Sequence, residues 1–412
     1  MGYQTLEKAL YADPSSDRFA SRERLLQERL TSESTFRTGI QLDTGELFLA
    51  VPRELSLANE RILRRERKVS ALWRSLPPIA LGACIRSLIM DEVVYSNEIE
   101  GVHSTRRQIE LALEEAQRDT SGLKGAAGKG HAPFAEFAKL YLGLVDNPEP
   151  PGTLRDIRSA YDAVVRDALD ERDRLGETLF RSGQVVITGS RGQTVHEGVS
   201  PESRIEEMLT QWLALSRSED IPETYSALLC HFLFEYIHPF YDGNGRTGRY
   251  LLALHLSKPL SQPTVLSLSR TIAENKAEYQ RAFDIVERKL NAAEATPFVL
   301  TMLRLIGEAQ DDLIANLSEK QQALQVIRAS LENCQAVGDR PRSVLHYAAQ
   351  MELFDAFHET RATDVASHLG VSRPTARKAF DELVEAGFLC RTKATPATYR
   401  LTDAGRHVVG LL

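Results

Sequence analysis

The chain has 412 residues, with 50 Lys+Arg against 57 Asp+Glu and a formal net charge of −7. At about 150 residues per domain, this length suits two or three folded units. Its 42% hydrophobic and 26% charged content excludes wholesale disorder, and the acidic balance excludes a chain that coats nucleic acid through bulk positive charge. Four scattered cysteines, Cys84, Cys230, Cys334 and Cys390, form no CxxC pair and no zinc spacing, so neither a disulfide framework nor a structural zinc is expected. There is no basic start leading into an apolar stretch, and no uncharged apolar run of about 18 residues. The expectation is a cytoplasmic protein without membrane contact.

The first thirty residues are charged and weakly patterned, an arm or a short helix. Residues 36–52 alternate around Asp43-Thr44-Gly45-Glu46, which predicts a hairpin. Helical spacing then dominates, over 81–96, 104–116, 132–145, 153–169, 201–215, 225–237, 247–256, 269–290 and 296–315. Between 119 and 131 lies a glycine-rich loop; its Gly128-Lys129 is followed by Gly130 rather than Ser or Thr, which excludes a phosphate-binding P-loop. Residues 183–199, rich in Val, Ile and Thr, predict a second hairpin. After about residue 340 a short helix at 362–369, a Gly370-Val371-Ser372 turn, a helix at 373–385 and a two-stranded wing at 388–401 predict a winged helix-turn-helix. The expected fold is mainly α, divided as 1–75 (arm and hairpin), 76–118 (N-terminal helices), 132–318 (helical core) and 340–412 (winged helix-turn-helix).

One stretch concentrates chemistry: HPFYDGNGRTGR, from His238 to Arg249. Gly243-Asn244-Gly245 permits the positive φ values that turn successive backbone N–H groups toward an anion. The helix that follows aims its N-terminus at the same place. Arg246 and Arg249, three apart, share a helix face and can clamp phosphate oxygens. Asp242 suits a magnesium ion bridging phosphates, and His238 is the group that titrates near neutrality. Taken singly these are an ordinary turn, a packed histidine and a solvated pair of arginines. Three glycines in a row of such residues have no packing rationale, because they cost conformational entropy and add nothing to a core.

This segment resembles, at every fixed position, the signature of Fic domains, adenylyltransferases that move AMP from ATP to a protein hydroxyl. The resemblance implies a helical core with the motif between two helices. It implies that His238 is the general base for a Tyr, Thr or Ser hydroxyl of a target protein or of the chain itself, and that Asp242 holds Mg2+. Gly243, Asn244 and Gly245 would cradle the α/β-phosphates, and Arg246 and Arg249 would engage the β- and γ-phosphates. Gly245 favours AMP transfer over phosphate transfer, since the related Doc kinases carry Lys there. A flap preceding the motif, 185–195 in this chain, would hold the target by strand addition. Asn275 and Tyr279, four apart, are the counterparts of the adenine-pocket residues. A homodimer is a family-level expectation.

Upstream, Ser96-Asn97-Glu98-Ile99-Glu100-Gly101 is similar to the inhibitory helix of the same family. By that resemblance Glu100 would pair with Arg249 where the γ-phosphate belongs, with Ser96 part of the motif. The same site could remove AMP instead of adding it, with Glu100 orienting water. A third reading is DNA binding by the C-terminal unit through Ser372, Arg373, Thr375, Arg377 and Lys378, tempered by Asp381, Glu382 and Glu385; protein docking by that unit stays open beside it.

Overall fold

The computed structural model describes residues 2–120, 133–144, 149–166, 169, 171–188 and 194–412. The expected glycine-rich loop at 119–131 lies outside these residues from 121 on, its first two residues ending helix Arg106–Thr120, and the tip of the second hairpin, with Gly189 and Ser190, lies outside them too. The chain divides into two compact units, Met1–Arg67 with Ile89–Asp311, and Lys68–Leu88 with Asp312–Leu412.

The first unit is helical with two small hairpins. Its opening residues form two helices, Leu6–Ala12 and Arg18–Leu30, capped by Thr5 and Asp17. The weak pattern hid them because helix Arg18–Leu30 buries only Ser21. Strands β1 (Thr35–Leu42) and β2 (Gly45–Ala50) pair antiparallel as expected, with Leu42 opposite Gly45 at the turn. Strands β3 (Val186–Thr188) and β4 (Thr194–Glu197) form the second hairpin, with Ile187 opposite His196.

Two helices form the centre of this unit. Helix Glu223–Ile237 has all its residues buried except Glu223 and Glu235, and every residue of helix Asn244–Leu256 is buried. An apolar face cannot explain a helix buried all round; only a position surrounded by other elements does. Around the pair, helix Leu154–Val165 starts at a capping box made by Thr153 and Asp156, and buries Ile157, Tyr161, Val164 and Val165 on one stripe. Helix Glu202–Leu215 inserts Trp212, whose Nε1 donates to the Cys230 carbonyl (2.7 Å). The expected single helix over 269–290 is instead two, Leu268–Glu274 and Lys276–Glu287, broken at Asn275 (φ −116°, ψ 27°).

In the second unit, helices Asp339–Phe354, Ala362–His368 and Arg373–Glu385 pack with a three-stranded sheet, order β5-β7-β6, of β5 (Thr360–Arg361), β6 (Leu389–Lys393) and β7 (Thr398–Leu401). Helix, turn, helix and hairpin thus occur in the expected order, around Val344, Leu345, Phe380, Leu383, Tyr399 and Leu401. Residues 68–88 join this unit because Val69, Leu76, Ala80, Ala83 and Cys84 bury against Leu313, Leu317 and Phe354. Nothing local in the sequence announces that pairing, so the expected boundary at 75/76 does not coincide with either unit.

Candidate active site

His238 opens the loop that follows helix Glu223–Ile237. It caps helix Glu223–Ile237 in the left-handed region (φ 52°, ψ 60°). For a β-carbon-bearing residue that conformation costs about 1–2 kcal/mol, and the surroundings hold it. The His238 N–H donates to the Phe234 carbonyl (3.0 Å), and the His238 carbonyl accepts from Arg181 Nε (2.7 Å). Arg181 is 1% exposed and also donates to the carbonyls of Gly183 (2.6 Å), Val199 (2.7 Å) and Ile237 (3.3 Å). One guanidinium thereby fastens the base of the hairpin β3–β4 to the turn carrying the histidine. Sequence reasoning missed it because a lone arginine before a hairpin carries no signal. A Cβ on Gly198 would lie 2.4 Å from Arg181 Nη2, so this position needs glycine for the staple to close.

The imidazole itself is buried, and its Nδ1 has no hydrogen-bond partner among the described residues. Burial, reinforced by His196 and Arg181, pushes its pKa down to about 4. At neutral pH the ring is uncharged and able to accept a proton.

From His238 the chain passes through Pro239-Phe240, whose ring stacks on Tyr161 (centroids 3.6 Å apart). Asn244 turns its side chain back onto this loop: Oδ1 accepts from the Phe240 N–H (2.9 Å) and Nδ2 donates to the Phe240 carbonyl (2.8 Å). Its side chain therefore shapes the loop, and only its backbone remains for an anion. Gly243 adopts φ +81°, and a Cβ there would lie 2.4 Å from Val165 Cγ1. The first intrahelical bond runs from the Thr247 N–H to the Gly243 carbonyl (3.1 Å). The N–H groups of Asn244, Gly245 and Arg246 precede it and are those a helix N-terminus offers to an anion.

Arg246 is 0% exposed, yet among the described residues none of its three side-chain nitrogens makes a hydrogen bond; Asp242 Oδ2 lies 3.6 Å away. Leaving a buried donor unmade costs roughly 1–3 kcal/mol, and more when it is charged. A guanidinium kept in that condition is chemically suited to a negative group. Asp242 is half exposed; its Oδ1 accepts from the Gly243 N–H (2.7 Å).

Arg249, one turn on, is fully partnered. Its Nε donates to Ser96 Oγ (3.0 Å), its Nη2 to the Ser96 carbonyl (2.7 Å) and its Nη1 to Glu100 Oε1 (2.7 Å). Ser96 lies on helix Pro78–Ile99, and Glu100 follows its end. Burial works against the Glu100 charge, but Arg249 outweighs it and holds the carboxyl below its usual range. The carboxylate lies over Gly245, where a Cβ would come within 2.1 Å of Glu100 Oε1. Lys276 Nζ donates to the Ile99 carbonyl (2.5 Å), holding the end of the same helix. This lysine, too, had no sequence signal.

Glu235 lies beside Gly248 with its Oε1 buried, and burial followed by the nearby Glu100 charge raises its pKa to about 8. Asn275 stands at the junction of two helices, C-cap of Leu268–Glu274 and N-cap of Lys276–Glu287, and its carbonyl accepts from the Tyr279 N–H one turn on (3.0 Å). Asn275 Nδ2 bonds back to the Thr271 carbonyl (3.0 Å), and the Tyr279 hydroxyl meets His231 Nε2 (2.7 Å) within the core, with Tyr279 5% exposed.

In the second unit, Ser372 caps helix Arg373–Glu385 by accepting from the Thr375 N–H, and Arg373, Arg377 and Lys378 are exposed. Arg377 faces Asp381 at 4.0 Å.

Residues 151–256 match the profile of the Fic/DOC family. The protein adenylyltransferase Fic of Nematostella vectensis is 22% identical over 271 residues, 65% of this chain and 58% of that protein. Protein adenylyltransferase fic-1 of Caenorhabditis elegans is 32% identical over 103 residues, 24% of this chain and 18% of that protein. The chain thus spans little more than half of the first relative's length and less of the second. A Fic family protein from Desulfovibrio desulfuricans aligns structurally over 86% of this chain and 97% of its own, with TM-score 0.52 and 21% identity, a likeness of fold. Among the described residues, no helix is long and apolar enough to cross a membrane.

Proposed function

With residues 151–256 a Fic domain, we propose that this chain transfers AMP from ATP to a Tyr, Thr or Ser hydroxyl of a target protein or of itself, and that Glu100 restrains the reaction. The observation that carries the reading is the buried Arg246 guanidinium without a hydrogen bond among the described residues, set at a helix N-terminus below a neutral, buried His238.

The target hydroxyl oxygen attacks the α-phosphorus while its proton passes to His238. The bond from the α-phosphorus to the bridging oxygen of the β-phosphate breaks, and pyrophosphate leaves. Phosphate charge beside the imidazole favours its protonated form, strengthening the base on binding. The backbone at 243–246 and Arg246 stabilise charge around the α- and β-phosphates, so catalysis rests on positioning and electrostatics. Mg2+ fits Asp242: Oδ2 makes no hydrogen bond, the carboxylate is half exposed, and magnesium is usually held by one or two carboxylates plus substrate phosphates. Bound there, the ion would neutralise phosphate charge. Arg249 would engage the far phosphates once Glu100 withdraws, since a carboxylate on that arginine both occupies and repels. ATP labelled on the α-phosphate should mark a Glu100→Gly chain or its target, and ATP labelled on the γ-phosphate should not. The reverse pattern would replace AMP transfer by phosphate transfer.

The exposed Arg373, Arg377 and Lys378 beside the Ser372 cap support a second role, DNA binding by the C-terminal unit. A gel shift of the full chain should weaken steeply with salt; no shift at low salt would leave protein docking for this surface.

A further inference from the structure

His196, on β4, presents both ring nitrogens to oxygen acceptors. Its Nε2 lies 2.8 Å from the Tyr236 carbonyl, and its Nδ1 lies 2.7 Å from Glu287 Oε2. A carbonyl can only accept, so Nε2 must carry a proton; facing a carboxylate, Nδ1 needs one as well. A neutral imidazole has a single N–H and cannot satisfy both. The ring is 9% exposed, and its centroid lies 6.3 Å from that of His238.

We propose that His196 is an imidazolium held between Glu287 and the Tyr236 carbonyl, and that it is a positioning residue for the base: it fixes the hairpin to the turn before His238 and keeps the His238 ring unprotonated. This rests on the reading of His238 as the general base. The placement serves both ends at once. The Tyr236 carbonyl lies two residues before His238, in the last turn of helix Glu223–Ile237, so the hydrogen bond sets the distance between hairpin and base. A fixed positive charge about 6 Å from a second imidazole disfavours charging it.

The other groups around the pair act in known directions. Glu287, from helix Lys276–Glu287, faces His196 and favours its cation, and Glu235, from helix Glu223–Ile237, adds to this only as it ionises near pH 8; burial opposes the cation, and the net direction is upward. Toward His238, Arg181 acts with His196, and Glu100 acts against them. Glu197, the next residue on the hairpin, is engaged by Gln184 (3.2 Å). Because the His196 pKa is raised, its cation is present at and below the ordinary histidine range and is lost as pH climbs through the raised value. The arrangement therefore acts on the acid side of any rate profile, where His238 would otherwise take up a proton.

The test is a titration of the intact chain with 13C-labelled histidine rings, assigned with His196→Gln and His238→Ala, which needs no turnover. In the wild type the two acceptors facing the His196 ring call for double protonation at pH 7, and His238 should stay neutral down to about pH 4. In His196→Gln, and in Glu287→Gln where the cation loses its partner, the His238 midpoint should rise by about one pH unit. The acid limb of labelling should move by the same amount, measured in a Glu100→Gly background. A neutral His196 at pH 7 in the wild type overturns the proposal without any variant. So does an unmoved His238 midpoint in the variants, or a loss of labelling equal at every pH, which marks a merely structural role. Absent labelling in every background, with both titrations as described, would reject the transferase reading and leave the electrostatic pairing standing.

Discussion

Two ends of one cradle differ in how their arginines are treated. At the near end Arg246 is sealed from solvent, with all three nitrogens free of hydrogen bonds among the described residues and one carboxylate 3.6 Å away. At the far end, one helical turn on, Arg249 is equally buried and holds Ser96 Oγ, the Ser96 carbonyl and Glu100. An unsatisfied buried cation is chemically suited to an anion, while a satisfied one is a site the chain has filled with its own. On the proposed reading, this difference would put the restraint at the far phosphates, with the Glu100 charge also felt at the base.

The largest effect should come from destroying the chemistry common to both ends: His238→Ala should lower labelling by at least about a hundredfold, the range for a general base, measured by incorporation of α-labelled ATP. Emptying the far end comes next. Glu100→Gly should raise labelling by roughly tenfold or more, in the range of intramolecular coupling. Gly245→Ala should act in the same direction but less, because its methyl would meet Glu100 Oε1 at 2.1 Å and displace it; in a Glu100→Gly chain the same change should raise nothing. Ser96→Ala removes one of three groups on Arg249 and should raise labelling only about two- to fivefold, a single hydrogen bond's worth. Smallest is the response to pH. The Glu100 carboxyl is held below its usual range, so its restraint is complete above that range and is lost only as pH falls through the lowered value. The ratio of Glu100→Gly to wild-type labelling should stay flat from pH 6 to 8.

The near end was legible in the sequence because its chemistry is local: a left-handed turn at Gly243, a helix start and two arginines follow one another within twelve residues. Glu100 was legible only through resemblance, since its partner is 149 residues away. Arg181, Lys276 and His196 were not legible, because each acts on a backbone carbonyl brought close by the fold, and carbonyls leave no trace in a sequence. The break at Asn275 was hidden for a related reason: the periodicity of 269–290 continues through it, and the side chain that stabilises the break bonds to a main-chain oxygen. The order of helix, turn, helix and hairpin over 362–401 was legible because the Gly370-Val371-Ser372 turn and the hairpin signals are short-range.

We propose that the near end is competent and that Glu100 is the main group holding the far end shut. Intact mass of the wild type, Glu100→Gly and the Glu100→Gly/His238→Ala double variant, after incubation with ATP and Mg2+, tests it most directly. An AMP-sized gain in Glu100→Gly, small or absent in the wild type and absent in the double variant, is the expected result. Equal gain in wild type and Glu100→Gly, or a gain that survives loss of His238, would contradict the account.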